Sequence, residues 1–386
     1  MRKIFIFVSL LTILLAGCVV YLPPPERGPS LAGEVYPEYD LDYIYDYLSD
    51  YGFWVYQPPY GYVWVPEVRL YRWRPYSYGY WVWTDFGWTW ISRFNWGWIP
   101  FHYGRWGWSR DLGWFWVPGD IWAPAWVVWR YSRYYVGWAP LPPSIRFDVR
   151  VGLISHSLVI PSEYWVFVEV DYFLHSRLYR YLLPVERSLT LVRKTSLRAR
   201  LEVHNRLVYN RALEKQLIEQ ATRRTIRKYE LAPQSAPGAT RVRLNRVEMF
   251  RPKIKSSPSA RPKKIVNKTK IKNQLREKEI ISSGEQKAVK SSLELRRVHE
   301  KELKLLEKSH QREVEILQKE LEVKKAQVRN PAEKRKIEES YKKKIQEVTR
   351  EHAQEKNKLK KRQAEEKKKV VRGQVKKKKI KRREAN

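Results

Sequence analysis

The chain has 386 residues, of which 43% are hydrophobic and 14% aromatic, and its formal net charge is +35. A single cysteine, Cys18, excludes intramolecular disulfides and cysteine-based metal sites. Residues 34–140 carry 8 basic and 10 acidic side chains, whereas residues 291–386 carry 33 basic and 17 acidic ones. This length and asymmetry predict several structural units with different roles.

The first 18 residues are typical of an export signal. Arg2 and Lys3 precede an apolar run, residues 4–15, that is too short to span a bilayer. The following LAGC at 15–18 resembles the lipobox of bacterial lipoproteins, which implies cleavage before Cys18 and palmitate or related acyl chains on it. Several acyl chains would anchor the protein stably in a membrane. We therefore expect a cell-envelope protein on the outer membrane, facing the periplasm or exposed at the surface.

Residues 19–42 are predicted to form a tether that begins with prolines and glycines. A short helix is expected over 41–48, with Tyr43, Tyr47 and Leu48 near one face.

An aromatic repeat begins after this helix. Gly52 and Gly104 are each followed by an aromatic residue at offsets 2 and 4, Gly at 9, Trp at 12 and Pro at 14. The aromatic residues are Trp except for one Tyr after Gly52, and Gly79 opens a shorter copy. Each copy alternates Trp onto one face and contains a Gly-bearing turn, which predicts tandem β-hairpins over 43–145. All 18 Trp fall between residues 54 and 165.

These repeats resemble the Tyr/Trp-rich, YxWGxW-like repeat family of bacterial envelope lipoproteins, a domain family of unknown function. The resemblance rests on YLSDYGFWVY (47–56), HYGRWGW (102–108), WVPGDIWAPAWVVWR (116–130) and YVGWAPLPP (135–143). It implies an envelope location and a repeat architecture. It carries over no catalytic residue.

The rest of the chain is basic. We expect a β-rich and small α+β region at 146–253, a linker at 254–290, a coiled-coil-like helical segment at 291–370 and a disordered tail at 371–386. Leu295, Leu306, Leu317 and Val328 recur every 11 residues, and Asn330-Pro331 restarts the helix. The predicted fold is thus multi-domain α+β: a Trp-rich tandem β-hairpin domain, a small basic α+β unit and a long basic helical tail.

The Trp stripe allows two interpretations. Trp81, Trp83, Trp106 and Trp108 are candidates for stacking on a glycan such as peptidoglycan. Alternatively, the indoles replace the aliphatic core that these hairpins lack.

The basic C-terminal part is a candidate polyanion-binding region, in contact with peptidoglycan or lipid A phosphates. Its candidate residues are Lys376, Lys377, Lys378, Lys379, Lys381, Arg382 and Arg383. Nucleic acid is not expected, because aromatics are almost absent after residue 291 and the protein is predicted to be exported. A solvated helix and self-association through 291–370 are the alternatives.

Catalysis is not predicted. Glu67, Asp85, Asp111 and Asp120 show no spacing that nominates a catalytic pair, and the Asp side chains suit turns. No metal-ligand spacing or cofactor fingerprint is present, so neither metal nor cofactor is expected. The sequence predicts a non-enzymatic envelope lipoprotein, with a coiled-coil scaffold or a glycan-active enzyme as alternatives.

Overall fold

A computed structural model describes residues 36–68, 73–150, 152–154, 158–269, 271 and 285–384. The predictions for residues 1–35, including the signal peptide and the lipid anchor on Cys18, lie outside the described residues. The described chain combines a strand-rich N-terminal region with a helical C-terminal region, which makes it a mixed α+β protein.

The helices are α1 (Leu41–Ser49), α2 (Val185–Arg193), α3 (Lys215–Thr222), α4 (Glu285–Ala326) and α5 (Pro331–Glu384), and short 3-10 turns lie at Ser162–Tyr164, Val170–Tyr172 and Leu178–Arg180. The strands are β1 (Glu38–Asp40), β2 (Gly52–Tyr56), β3 (Tyr62–Pro66), β4 (Gly79–Thr84), β5 (Gly87–Ser92), β6 (Arg105–Ser109), β7 (Gly113–Val117), β8 (Val127–Tyr131), β9 (Tyr135–Pro140), β10 (Arg146–Asp148), β11 (Gly152–Ile154), β12 (Val166–Glu169), β13 (Ser196–Arg198), β14 (Glu202–His204), β15 (Leu207–Tyr209), β16 (Lys228–Pro233), β17 (Arg241–Arg243), β18 (Arg246–Met249) and β19 (Lys253–Lys255).

Four antiparallel hairpins form the aromatic region: β2–β3, β4–β5, β6–β7 and β8–β9. The first and third hairpins share one sheet, in the order β2-β3-β7-β6. The second hairpin joins β16 in the sheet β17-β18-β16-β4-β5, and the fourth lies between β12 and β13. The hairpins therefore do not pair edge to edge with their sequence neighbours: β3 pairs with β7, β4 with β16, β9 with β12 and β8 with β13.

Gly87 shows why a glycine closes the second hairpin. Its φ is +88°, and a Cβ there would lie 2.2 Å from the carbonyl oxygen of Asn210. The Asn210 backbone bonds on both sides of this turn, to the oxygen of Phe86 and the N–H of Trp88. Only a residue without a Cβ allows this close approach.

Residues 146–253 are not a separate unit, which corrects the predicted boundary at 145. The strands β12, β13 and β16 all extend sheets of the aromatic hairpins. The Asn210 side chain lies within the aromatic core, where its amide nitrogen donates to the oxygens of Ala125 and Val127. Composition could not reveal this, because strand pairing depends on distant edges. We call residues 36–271 the aromatic body.

The predicted tether and linker are also partly ordered. The described end of the tether contains β1, which pairs in parallel with β19. Helix α1 forms as expected, but it buries Ile44, Tyr45 and Leu48 instead of Tyr43 and Tyr47. In the linker, Val266 is buried and its N–H bonds to the oxygen of Trp54. The isolated bridge from Trp54 to Ile265 holds the same segment against β2.

The C-terminal helices form an antiparallel pair that we call the helical hairpin. Asn330 ends the connection and caps α5, since its side-chain oxygen accepts the N–H of Ala332 at 2.9 Å. Leu306 of α4 and Leu359 of α5 are fully buried. Helix α5 continues to Glu384, so the prediction of a disordered tail from residue 371 is wrong for residues 371–384.

Candidate functional site

A row of tryptophans crosses the first sheet. The register places Trp54 opposite Trp64, Trp64 opposite Trp116, and Trp116 opposite Trp106. All four are at most 1% exposed, because paired positions share one face of a sheet. Trp106 therefore belongs to the core, and its prediction as a glycan-stacking residue is wrong.

Trp81 is buried in the same way. It is 2% exposed, and its ring centroid lies 4.6 Å from Trp129 and 4.9 Å from Trp90. The prediction of Trp81 as a glycan-stacking residue is therefore wrong as well. Trp83 is half-buried and packs edge to face on Trp88, with 5.2 Å between centroids. Each fully buried indole contributes about 4–6 kcal/mol by area, which explains why Trp forms the core of hairpins that have few aliphatic residues.

Trp108 is the one candidate with a large exposed surface, at 50%. It lies directly opposite the half-buried Trp114, whose ring centroid is 4.6 Å from Tyr164. Burial raises the pKa of the Tyr164 hydroxyl, and a hydrogen bond with the Trp108 backbone partly offsets this. We call Trp108, Trp114 and Tyr164 the aromatic ledge. Its exposed indole and flanking hydroxyl are suited to stacking on a sugar ring.

A buried arginine joins the aromatic body to the helical hairpin. Arg187 of α2 is fully buried, and its Nη1 lies 3.2 Å from Oε2 of Glu355 on α5. Its Nη2 donates to Glu313 of α4, which also accepts a bond from Lys194 at 2.6 Å. Thr190 Oγ1 also donates a hydrogen bond to Glu355.

Two histidines lie against these carboxylates. The rings of His310 and His352 stack with centroids 3.9 Å apart and planes 7° from parallel. His310 Nε2 is 2.7 Å from Glu355, and His352 Nε2 is 3.0 Å from Glu313. Each carboxylate is thus shared between Arg187 and one imidazole. The neighbouring cation and hydrogen bonds hold the pKa of Glu313 and of Glu355 below the usual range, despite the opposing effect of burial.

The ion pairs on either side of this centre have the reverse arrangement, with the arginine on the hairpin and the acid on the aromatic body. Arg362 of α5 bonds Glu186 of α2 at 2.5 and 2.9 Å. Arg312 of α4 bonds Glu169 at 2.8 Å and Asp171 at 2.5 Å. We call the contacts of Arg187, Arg362 and Arg312 with their acidic partners the ionic clasp. Because the signs alternate, the clasp fixes one register between the hairpin and the aromatic body.

The opposite side of α5 is strongly cationic. Between residues 342 and 368, nine lysines and arginines are exposed, against two exposed acids, Glu347 and Glu365. The other acids of this stretch, Glu351, Glu355 and Glu366, are drawn into contacts with the aromatic body or with α4. We call the nine the cationic face: Lys342, Lys343, Lys344, Arg350, Lys358, Lys360, Lys361, Lys367 and Lys368.

The tail candidates follow on the same helix. Lys376, Lys377, Lys378, Lys379, Lys381, Arg382 and Arg383 lie on helical backbone of α5, beyond the cationic face.

The candidate catalytic acids are engaged in structural contacts. Asp85 pairs with Lys228, and its carbonyl oxygen accepts a bond from Arg211. Asp120 accepts a bond from Ser256 at 3.2 Å. His102 is buried, and burial lowers its pKa to about 4. The partners of Asp85, Asp120 and His102 are thus structural ones.

Within the described ranges, no group of three or more His, Cys, Asp or Glu side chains is arranged to hold a metal ion. Among the same residues, no helix is both long and apolar enough to cross a membrane.

The sequence did contain a signal for the clasp that was missed. His310 and Glu313 on α4, and His352 and Glu355 on α5, each have the spacing His-x-x-Glu. Residues three apart share a helix face, and the antiparallel pairing of α4 and α5 brings both faces together. Arg187 carries no such pattern and could be found only from the fold.

Residues 45–145 match a family of unknown function, DUF6600. The match covers the four aromatic hairpins and agrees with the expected resemblance to a family without an established activity; the clasp and the helical hairpin lie beyond it. No curated protein and no solved structure matched the chain.

Proposed function

We propose that this protein is a non-enzymatic, lipid-anchored envelope protein whose helical hairpin binds envelope polyanions. The observation that carries the proposal is the cationic face of α5, with nine exposed basic residues against two acidic ones. At 1.5 Å per residue the face extends about 40 Å along the helix, which suits an extended or planar anionic surface. Lipid A phosphates, acidic phospholipids and the wall polymer share this chemistry.

The cationic face depends on the ionic clasp. Glu351 and Glu355 would neutralise part of α5 if they faced solvent, but they bond Lys194 and Arg187 of the aromatic body. The clasp also fixes which side of α5 points outward. The predicted anchor on Cys18 would hold this face near a membrane surface, where each basic residue contributes about 1 kcal/mol of attraction.

A binding experiment with charge reversals tests the proposal. The full chain carrying Cys18→Ser is mixed with phosphatidylglycerol vesicles, and co-sedimentation is measured with added Lys358→Glu, Lys360→Glu and Lys361→Glu. We expect a loss of at least about 100-fold in affinity, because three attractive charges become repulsive. Lipopolysaccharide and peptidoglycan sacculi, tested in parallel, distinguish the source of the anionic groups.

The matched control reverses three exposed cations of the aromatic body, Arg224, Arg241 and Lys264, to glutamate. The net charge changes equally, so we expect this variant to keep most of the affinity. Equal losses in both triple variants would mean that net charge alone drives binding and would contradict a dedicated face. Palmitate labelling of the unmodified chain, absent from Cys18→Ser, tests the anchor.

A second candidate function is glycan contact at the aromatic ledge, favoured by the 50% exposure of Trp108. Trp108→Ala is expected to weaken binding to purified peptidoglycan sacculi in a salt-insensitive way. Tyr56→Ala is the control, since Tyr56 is an exposed aromatic, at 56%, on a different strand of the same sheet. Equal binding by both variants would remove the ledge from the proposal.

A further inference from the structure

We propose that the ionic clasp is a proton-operated latch: protonation of His310, which stacks on His352, releases the helical hairpin from the aromatic body on mild acidification. The latch concerns the intramolecular contact and does not depend on the ligand of the cationic face.

The first observation is charge balance. Arg187 and Arg193 of α2 and the adjacent Lys194 supply three positive charges to Glu313, Glu351 and Glu355, which supply three negative ones. The positive and negative charges at the centre of the clasp therefore balance while both imidazoles are neutral. A proton on His310 adds a positive charge. The carboxylate that His310 contacts, Glu355, is already shared with Arg187, so the added charge is poorly compensated in this buried setting.

The second observation is the stacking itself. With 3.9 Å between centroids, His352 lies against His310, and together with the Arg187 cation it disfavours a positive charge on His310 while the hairpin is docked. The other groups around the pair are Arg187 of α2, Lys194 directly after α2, Tyr135 of β9, Glu351 and Glu355 of α5, and Glu313 of α4.

The direction of the effect follows from His310. Burial, followed by the charges of His352 and Arg187, lowers its pKa below the ordinary 6.5, although the bond to Glu355 opposes this. Release of the hairpin removes Arg187 and part of the burial, so His310 binds a proton more readily in the released state. Docking is thus fully favoured above about pH 6.5 and weakens as the pH falls below it. The pKa of Glu313 and of Glu355 is lowered, so both stay ionised in this range and do not reverse the effect.

The third observation is the polar nature of the contact. The clasp joins α2 and the 3-10 turn at Val170–Tyr172 to the hairpin through ion pairs and hydroxyl bonds, such as Lys308 to the Tyr172 hydroxyl at 2.6 Å. The buried Leu306 and Leu359 lie on the hairpin itself and belong to none of the apolar clusters of the aromatic body. Among the described residues, the apolar clusters of the aromatic body therefore do not extend across the clasp.

Distance measurement between spin labels tests the latch. Labels are placed at Leu189→Cys on α2 and Gln354→Cys on α5, both exposed, in the full chain with Cys18→Ser. We expect one short distance at about pH 7.5 and a longer population at about pH 5. For one proton bound on release, the ratio of docked to released molecules falls about tenfold per pH unit.

Two variants make the test specific. His310→Gln with His352→Gln is expected to keep the short distance at both pH values, because glutamine keeps a hydrogen-bonding group and cannot be charged. His299→Gln, which alters another hairpin histidine bonded to Glu366, is expected to respond like the unmodified chain.

Three results would overturn the latch. The first is an unchanged distance in the unmodified chain at about pH 5. The second is an undiminished response in the His310→Gln, His352→Gln variant. The third is a loss of helix signal in circular dichroism in step with the distance change, because the hairpin would then be unfolding instead of undocking.

Discussion

Arg187 and Glu355 meet at 3.2 Å in an interface where the arginine is fully buried. They lie 168 residues apart in the chain, and one belongs to the aromatic body while the other belongs to the helical hairpin. This pair orients α5, and the orientation turns the acidic side inward and the basic side outward. A stabilising contact therefore shapes the surface on which the proposed function depends.

Removing the arginine should destabilise docking strongly. Arg187→Ala leaves Glu313 and Glu355 in the interface without their main cation, which is expected to cost about 3–5 kcal/mol. Denaturant unfolding, followed by Trp fluorescence and by helix circular dichroism, should show the two signals separating. Arg193→Ala is the control: its side chain is 65% exposed and its contact with Glu351 is peripheral, so a change below about 1 kcal/mol is expected. Similar effects of both variants would contradict the assigned role of Arg187.

The positions of Trp81 and Trp108 predict unequal effects on stability. Trp81→Ala removes a side chain that is 2% exposed and should lower the free energy of unfolding by about 3–5 kcal/mol. Trp108→Ala removes one that is 50% exposed and should cost about 1 kcal/mol or less. Urea denaturation of the two variants provides the comparison. A Trp108 variant as unstable as the Trp81 variant would place Trp108 in the core and exclude the ledge as a binding surface.

Much of the hairpin pattern could be predicted from sequence. Alternating Trp and a glycine with positive φ, such as Gly113 at 67°, are local signals that belong to strands and turns. The restart of the helix at Asn330 is local too, and the capping bond confirms it. Burial of individual indoles was not predictable, because Trp106 and Trp108 lie two residues apart on the same strand face and differ only in what packs over them.

Contacts between distant parts of the chain could not be predicted from the sequence. Asn210 had no distinguishing pattern, yet its Oδ1 accepts a bond from the indole of Trp129 at 2.5 Å within the aromatic core. The boundary at residue 145 failed for the same reason, since the partner of an open strand edge can lie far along the chain, as Lys228 does for Trp83, 145 positions later.

Asn210 is accordingly a sensitive position. Asn210→Ala removes one acceptor and two donated bonds in a fully buried site, and a loss of about 2–4 kcal/mol is expected. Near-UV circular dichroism during thermal unfolding measures it. Asn245→Ala, at an exposed amide that bonds Arg227, should change the midpoint little. If the two midpoints fall equally, the amide bonds of Asn210 are not what holds the later segment in the core.

His102 predicts a pH dependence within the aromatic body. Burial lowers its pKa from 6.5 to about 4, so the unfolded chain binds this proton first. The stabilising contribution is complete above about pH 6.5 and is lost as the pH falls toward 4, by about 3 kcal/mol in total. His102→Gln should flatten this part of the pH profile of unfolding, measured by Trp fluorescence, whereas the exposed His175→Gln should not. An unchanged profile in His102→Gln would contradict the assignment.

If α5 meets the polyanion with its outward side, a spin label on that side should be shielded when the protein binds. A nitroxide at Asn357→Cys, exposed among the lysines of the cationic face, is compared with one at Leu244→Cys, which is 90% exposed on the aromatic body. Both are measured in the full chain with Cys18→Ser, with and without phosphatidylglycerol vesicles. The label at 357 is expected to lose access to a water-soluble relaxation agent while the label at 244 keeps it. Loss of access at 244 with none at 357 would mean that the protein meets the polyanion through the aromatic body and not through α5.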